Sequence, residues 1–266
     1  MTTETSVRSA SINGVSLKYI DTGNGDPAIV FVHGWTCNRN DWRYQIEEFA
    51  GSHRVVALDQ RGHGESEKPD QDYTIAGFAD DLAAFIDELI LERPVIVGHS
   101  MGGVIANSLA RRGTGIARGV VLVDAPIMPA QEAQTGMLNA FLTGLRTPGY
   151  KNIARVFIEQ ACFNEASDPA LKTQPVARIA EVPQRLMHTA MGSIWEEAEK
   201  HSGDMPVPTL FLLAATTTGA ADKIKARFPN IELEEIDAAH FLQLERPKEV
   251  NDAIRGFIDR LTEVTR

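Results

Sequence analysis

The sequence predicts an α/β fold in which a mostly parallel β-sheet is flanked by helices. Short, continuously apolar segments alternate with longer segments whose apolar residues recur every three or four positions. The apolar segments show no polar alternation, as expected of strands covered on both faces. Between residues 126 and 206 this alternation stops and only helical patterns remain. We therefore expect a core formed by residues 1–125 and 207–266, with a helical cap inserted at residues 126–206.

The chain opens with a predicted β-hairpin. Strand-like residues 6–12 and 15–19 flank Asn13-Gly14, a dipeptide favoured where both central residues of a tight turn have positive φ. Buried strands are predicted at residues 28–32, 55–58, 94–97, 119–123, 209–214 and 231–236. Core helices are predicted at residues 41–49, 74–89, 104–112, 221–228 and 247–261, and cap helices at 137–145, 153–162, 176–180 and 183–191.

Size and charge narrow the class of protein. The 266 residues, 43% of them hydrophobic, suit one domain with an inserted subdomain. Lys and Arg number 26 against 36 Asp and Glu, and this net charge of -10 disfavours nucleic acid and anionic membranes as partners. Cys37 and Cys162 form neither a disulfide framework nor a metal motif, and no segment has the length and apolarity of a membrane span or leader. We expect a soluble, cytoplasmic protein without metal or cofactor.

Ser100 lies in the segment Gly98-His99-Ser100-Met101-Gly102-Gly103, between a predicted strand and a predicted helix. A G-x-S-x-G segment in this context is a nucleophile elbow, a sharp turn that holds the serine in a strained conformation. The positions two residues before and after the serine must be nearly free of side chain, and Gly98 and Gly102 meet that need. Ser100 is therefore the predicted nucleophile.

A serine hydroxyl needs a base to take its proton, and that base needs a third group to orient it. His240, in the loop after the last predicted strand, is the best base, since an elbow serine is followed along the chain by an acid and then a histidine. We expect His99 to point into the sheet. His33 and His63 lie on loops, where we expect them to hydrogen-bond backbone groups.

Over essentially its whole length the sequence resembles the α/β-hydrolase superfamily. The resemblance rests on His33-Gly34-Trp35, on residues 59–66 (Asp-Gln-Arg-Gly-His-Gly-Glu-Ser), on the elbow and on Ala239-His240-Phe241. It implies an oxyanion hole made by the backbone N–H groups of Trp35 and Met101. Charge develops on the carbonyl oxygen of a tetrahedral intermediate, and one fixed donor there is worth about 3–4 kcal/mol.

The acid of the triad departs from the usual pattern of this superfamily. In most members it follows the strand after the cap, but here residues 209–215 lead into Thr216-Thr217-Thr218-Gly219 without a carboxylate. Asp124 ends the strand after the elbow helix and can reach the same histidine from a neighbouring strand end. We predict Asp124 as the acid, with Asp222 and then Asp237 as alternatives.

This displaced position of the triad acid resembles the arrangement in two groups of enzymes. One group is the hydrolases that open resorcylic macrolactones, and the other is the cofactor-independent dioxygenases that cleave 3-hydroxy-4-quinolones. The intact elbow favours hydrolysis of an ester or lactone, and the alternatives are a dioxygenase that uses the His240–Asp124 pair and a ligand receptor with little turnover. Haloalkane and epoxide hydrolysis are disfavoured, because those branches place an aspartate where Ser100 stands. The apolar cap predicts a small hydrophobic or aromatic carbonyl substrate. Oligomeric state is left open.

Overall fold

The computed structural model describes residues 6–113, 115–215 and 219–263. Its strands form one eight-stranded sheet in the order β1-β2-β4-β3-β5-β6-β7-β8. The first two strands and the β2–β4 pair are antiparallel, and the other neighbours are parallel. The strands are β1 Val7–Ile12, β2 Val15–Thr22, β3 Ile29–Val32, β4 Val55–Leu58, β5 Val95–His99, β6 Gly119–Val123, β7 Thr209–Ala214 and β8 Glu232–Ile236. The predicted fold class is confirmed.

The helices fill the intervals between the strands much as the spacing predicts. They are α1 Arg43–Phe49, α2 Ile75–Glu88, α3 Met101–Ala110, α4 Glu132–Leu145, α5 Tyr150–Ala161, α6 Pro169–Arg178, α7 Gln184–Lys200, α8 Ala220–Arg227, α9 Leu242–Glu245 and α10 Pro247–Glu263. Helices α4 to α7 all lie within residues 126–206, the predicted cap, and that segment contains no strand. None of the described helices is long and apolar enough to cross a membrane.

Several helices differ from the predicted boundaries, and the largest shifts at a start are those of α4 and α6, which begin at residues 132 and 169 instead of the predicted 137 and 176. The chain enters α1 through a 3-10 turn, Arg39–Trp42, and α9 was missed because four residues are too few to show a helical period. Helix α7 continues to Lys200, well past the predicted end at residue 191. The extra turns carry the buried residues Ile194, Glu197 and Ala198, and the buried acid interrupts the apolar pattern.

The opening hairpin has the predicted turn. Ile12 pairs with Val15, and the two turn residues Asn13 and Gly14 have φ values of 48° and 77°. Both are therefore in the left-handed region that this turn requires and that Asn and Gly tolerate best. The prediction is confirmed.

The sheet is covered on both faces, as its continuous apolar strands require. In β3, Val30 and Val32 belong to an apolar cluster that includes α2, α3 and α4 to α7, whereas Ile29 and Phe31 belong to a cluster on the opposite face with α1 and α10. Successive residues of a strand point to opposite faces, so both must be apolar when both faces are packed.

Register places the predicted catalytic residues at one edge of the sheet. Val32 pairs with Gly98, and His99 pairs with Val123, so β3, β5 and β6 end side by side. The residues that follow these strands are His33, Ser100 and Asp124. In open α/β sheets the carboxyl ends of the strands form the ligand-binding edge.

Candidate active site

Ser100 occupies the turn between β5 and α3 in a strained conformation. Its φ of 51° and ψ of -119° are unusual for a residue with a side chain, and its N–H donates to Val123 O over 2.9 Å. A Cβ on Gly98 would lie 2.3 Å from Gly102 O, and one on Gly102 would lie 2.1 Å from Val32 O. Only glycine fits at these two positions, as the elbow requires.

His240 and Asp124 form a hydrogen-bonded pair. His240 Nδ1 donates to Asp124 Oδ2 over 2.6 Å. The other carboxylate oxygen, Oδ1, accepts from the N–H of Ala214 over 3.1 Å, and the backbone N–H of Asp124 donates to Leu212 O. Asp124 has a φ of 44°, so a second non-glycine residue is held in the left-handed region beside Ser100. The acid is thus fixed by both the β6 end and the neighbouring strand β7.

The alternative acids lie elsewhere. Asp222 is exposed in the first turn of α8, and Asp237 is exposed directly after β8. The sequence has no acidic residue directly after β7. The segment there, Thr216-Thr217-Thr218, lies outside the described residues. The structure brings Asp124 into hydrogen-bond contact with His240, and its role as the triad acid remains a prediction.

His99 was expected to point into the sheet, but its ring contacts His240 instead. Its Nε2 donates to the carbonyl of His240 over 2.9 Å, and the two rings lie 4.7 Å apart between centroids. Burial, with His240 nearby, lowers the pKa of His99 well below its ordinary value, so the ring is neutral. His99 thus supports the backbone of the predicted base. Sequence reasoning gave no signal for this role beyond the position of His99 next to Ser100.

The loop after β3 runs directly over the nucleophile. A Cβ on Gly34 would lie 3.1 Å from Ser100 Cβ and 3.0 Å from His99 Nδ1, so the backbone approaches Ser100 closely. The next residue, Trp35, lines the same cavity as Ser100. Met101 is the first residue of α3, and the backbone N–H groups in the first turn of a helix have no acceptor within the helix. These positions suit the predicted oxyanion donors, whose role remains a prediction.

His33 and His63 are structural, as expected. The N–H of Gln60 donates to His33 Nε2 over 3.1 Å, and His33 Nδ1 donates to Gly34 O over 2.8 Å. Burial lowers the pKa of His33 to about 3, so one ring nitrogen donates and the other accepts. His63 Nδ1 donates to Arg61 O, and burial lowers the pKa of His63 well below its ordinary value.

Ser100 and His240 share a cavity of about 240 Å³. Its other walls are largely apolar side chains from α5 and α7, among them Phe157, Ile194 and Trp195. Among the hydrogen bonds of the described residues, none joins His240 to Ser100 Oγ. In unliganded enzymes such bonds are often long and tighten only around substrate.

Cys37 and Cys162 also line this cavity as free thiols. Burial raises the pKa of Cys37 well above its ordinary value and that of Cys162 to about 12. A thiol that stays protonated is a weak nucleophile, so neither cysteine competes with Ser100 for that role. Within the described residues, no group of three or more His, Cys, Asp or Glu side chains could hold a metal ion.

A model of the alpha/beta hydrolase family matches residues 29–253 of this chain. The chain belongs to the alpha/beta hydrolase family. This hydrolase is 29% identical to a haloalkane dehalogenase of Sphingobium indicum, over 94% of each chain. An N-acyl homoserine lactone degrading enzyme has a similar structure, with 28% identity, a TM-score of 0.78 and coverage of 94% of this chain and 100% of that one.

A second similar structure is a variant of AqdC, which recognises and cleaves the ring of the Pseudomonas quinolone signal. It has a TM-score of 0.83 and covers 96% of this chain and 99% of its own, at 20% identity. At that identity the likeness shows the fold alone. The present chain is an enzyme of the alpha/beta hydrolase superfamily.

Proposed function

We propose that this hydrolase cleaves a carboxylic ester or lactone of a hydrophobic or aromatic small molecule through an acyl-enzyme on Ser100. The observation that carries the proposal is the 2.6 Å contact between His240 Nδ1 and Asp124 Oδ2, because His240 lines the same cavity as Ser100. The contact holds the Nδ1 proton on the side of Asp124, so the free ring nitrogen, Nε2, is the one that can accept a proton.

The reaction follows from these positions. Ser100 Oγ attacks the carbonyl carbon while His240 Nε2 takes the hydroxyl proton, and Asp124 offsets the positive charge on the ring. The N–H groups of Trp35 and Met101 stabilise the oxyanion. When the intermediate collapses, His240 returns the proton to the leaving alkoxide. Water then attacks the acyl-enzyme by the same route, and the products are a carboxylic acid and an alcohol, joined in one hydroxy acid when the substrate is a lactone.

Ser100 at the elbow distinguishes the proposed reaction from dehalogenation, the activity named for the haloalkane dehalogenase relative. A serine acyl-enzyme suits ester and lactone carbonyls, and a lactone-degrading enzyme is among the similar structures. The apolar side chains of α5 and α7 over Ser100 support a hydrophobic substrate. The free thiols Cys37 and Cys162 suit a reducing, cytoplasmic location.

Stoichiometric labelling of Ser100 is the direct test. A p-nitrophenyl alkylphosphonate should transfer one phosphonyl group per chain, and peptide mass spectrometry should locate it on Ser100. Ser100→Ala should abolish both the labelling and the hydrolysis of aryl esters. Ser108→Ala is the matched control, because this serine lies within α3 and hydrogen-bonds Glu197 instead of lining the cavity. Labelling of Ser108, or unchanged ester hydrolysis in Ser100→Ala, would contradict the proposal.

A second candidate is cofactor-independent dioxygenation of a 3-hydroxy-4-quinolone. The observation that favours it is the contact of His240 with Asp124, because this pair could deprotonate a substrate hydroxyl without the help of Ser100. The quinolone-cleaving enzyme among the similar structures agrees with this candidate in fold. Incubation with esters, lactones and 3-hydroxy-4-quinolones under air and under nitrogen separates the two. Oxygen consumption with retained activity in Ser100→Ala would favour the dioxygenase.

A further inference from the structure

A second and larger cavity opens beside the candidate active site. Its volume is about 600 Å³, against 240 Å³ for the cavity at Ser100. It lies among α4, α5 and α7, and its walls include Leu138 and Phe141 from α4 and Ile153 and Val156 from α5. We call this space the cap groove. The volume of the groove lies within the usual range of small-molecule binding pockets, so the groove has room for a ligand.

The cap groove and the catalytic cavity meet. Four residues line both spaces: Phe157, Ala161, Met191 and Trp195. A molecule that enters the groove therefore reaches the same side chains that cover Ser100. The groove therefore borders the catalytic cavity along this shared wall.

Aromatic rings continue this wall to the loop over the nucleophile. Phe141 stacks on Phe157 with ring centroids 4.6 Å apart, and both rings meet Trp35 edge-on at 6.3 Å and 6.0 Å. The backbone N–H of Trp35 is an expected oxyanion donor. In that role Trp35 would bind the reacting carbonyl through its backbone, while its side chain contacts two rings of the groove wall.

The chemistry of the groove selects an apolar occupant. Among the described side chains that line it, none carries a charge, and only those of Gln134 and Asn152 carry amides. Met137, at its opening, is 69% exposed and is one of the few large apolar side chains of the described residues left in water. An apolar chain laid along these walls would remove water from both surfaces, which is the main source of binding free energy for such ligands.

We propose that the cap groove binds an unbranched apolar chain of the substrate while the chain's carbonyl group lies at Ser100. This rests on the proposed ester or lactone hydrolysis and names its substrate class: medium- to long-chain acyl compounds. Each buried methylene should then raise affinity by up to about fourfold, the value for transfer of one methylene out of water. A compact aromatic substrate would leave the groove empty.

Binding can be measured without turnover. Ser100→Ala protein is titrated calorimetrically with methyl ketones of rising chain length, from methyl propyl ketone to methyl nonyl ketone. We expect the dissociation constant to fall several-fold with each added pair of methylenes. A dissociation constant independent of chain length would overturn the inference. Because ketones are not hydrolysed, this result does not depend on whether the enzyme is an esterase.

Turnover gives the second measurement. We expect the kcat/KM of the unmodified enzyme to rise from p-nitrophenyl butyrate to the decanoate. Met137→Asp places a charge at the groove opening and should lower the ratio of decanoate to butyrate kcat/KM by at least tenfold. Ile90→Asp is the matched control, because Ile90 is 79% exposed in the loop after α2 and lines neither cavity. An equal change of the ratio in both variants would overturn the inference.

Ala161→Phe provides a variant at the junction. Ala161 is exposed at the last position of α5, so a larger side chain there can be accommodated without repacking the core. The larger side chain should narrow the space between the groove and the catalytic cavity, so that affinity should stop rising with chain length at a shorter ketone.

The two experiments together separate the groove from the reaction. Length-dependent ketone binding without ester hydrolysis would support binding in the groove and reject the proposed reaction. Ester hydrolysis without any dependence on chain length would support the proposed reaction and reject binding in the groove. A dimer that dissociates in Met137→Asp, with no length dependence, would assign the groove to a second copy of this chain.

Discussion

Asp124 uses its two carboxylate oxygens for two different partners, the His240 side chain and the backbone of strand β7. Oδ2 holds His240 and Oδ1 accepts the N–H of Ala214 from β7, so the carboxylate cannot rotate without losing a bond. The backbone of Asp124 is in the left-handed region, with a φ of 44°. The cost of that conformation is about 1–3 kcal/mol, and such strain is commonly found where a site needs a fixed geometry.

Asp124→Asn should leave the fold intact and lower kcat by about 10³- to 10⁴-fold. The amide oxygen can still accept from Ala214, which turns the NH₂ group toward His240 and makes Nδ1 an acceptor. The proton then resides on Nε2, which can no longer accept the Ser100 proton. The rate of phosphonate labelling at Ser100 measures the loss.

Asp222→Asn and Asp237→Asn are the matched controls for this change, because both side chains are exposed and were the alternative acids. We expect their labelling rates to equal that of the unmodified enzyme. A large loss in Asp237→Asn with little loss in Asp124→Asn would refute the assignment of the acid.

Helix α7 joins the predicted cap to the elbow helix through a buried carboxylate. Glu197 accepts from Ser108 of α3 over 2.6 Å, and Lys200 and His201 donate to it over 2.8 Å and 3.0 Å. Burial acts to raise the pKa of Glu197, but the hydrogen bonds from Lys200, Ser108 and His201 outweigh it and lower the pKa to about 2. The charged form is thus the one that the folded state prefers.

Glu197→Gln should lower the free energy of unfolding at pH 7 by about 1–3 kcal/mol, the usual cost of losing hydrogen bonds to a charged group. Because the folded pKa is below the ordinary value of 4.5, the contribution of Glu197 is present above pH 4.5 and is lost between pH 4.5 and about 2. Urea unfolding at several pH values measures it.

The neighbouring Glu196 is exposed on the same helix, so Glu196→Gln is the control and should change stability by less than about 0.5 kcal/mol. Equal destabilisation by the two substitutions would show that Glu197 contributes only as a surface charge.

At the scale of the whole molecule, three histidines are fully buried near the edge of the sheet where Ser100 and Asp124 lie. Burial lowers the pKa of His33 to about 3 and the pKa values of His63 and His99 well below the ordinary 6.5. The folded chain therefore keeps them neutral at pH values where the unfolded chain protonates them. Their contribution is complete above pH 6.5 and is lost as the pH falls below it.

We expect the free energy of unfolding to fall by up to about 4 kcal/mol per pH unit below pH 6, since each of three histidines contributes about 1.4 kcal/mol per unit. Urea denaturation at pH 7.5, 6.5 and 5.5 gives the slope. His63→Asn should reduce the slope by about one third. Stability that is constant between pH 7 and pH 5 would contradict this account.

The sequence by itself determined the fold class, the strands, and the positions of Ser100 and His240. Continuous apolar runs and helical spacing are local consequences of burial on two faces or one, so they can be read without coordinates. The elbow is equally local, because Gly98 and Gly102 are dictated by backbone contacts within a few residues of Ser100 and the adjoining strand.

Only the tertiary structure decided which groups meet around these residues. The sequence already ranked Asp124 above Asp222 and Asp237, because Asp124 ends a strand. Its contacts with His240 and Ala214 depend on strand register and on the fold of distant segments, neither of which is encoded within a short window. The contact of His99 with His240 and the junction of the two cavities likewise join residues far apart in the chain. Periodicity reports which face of an element is buried, whereas packing between elements decides what lies against that face.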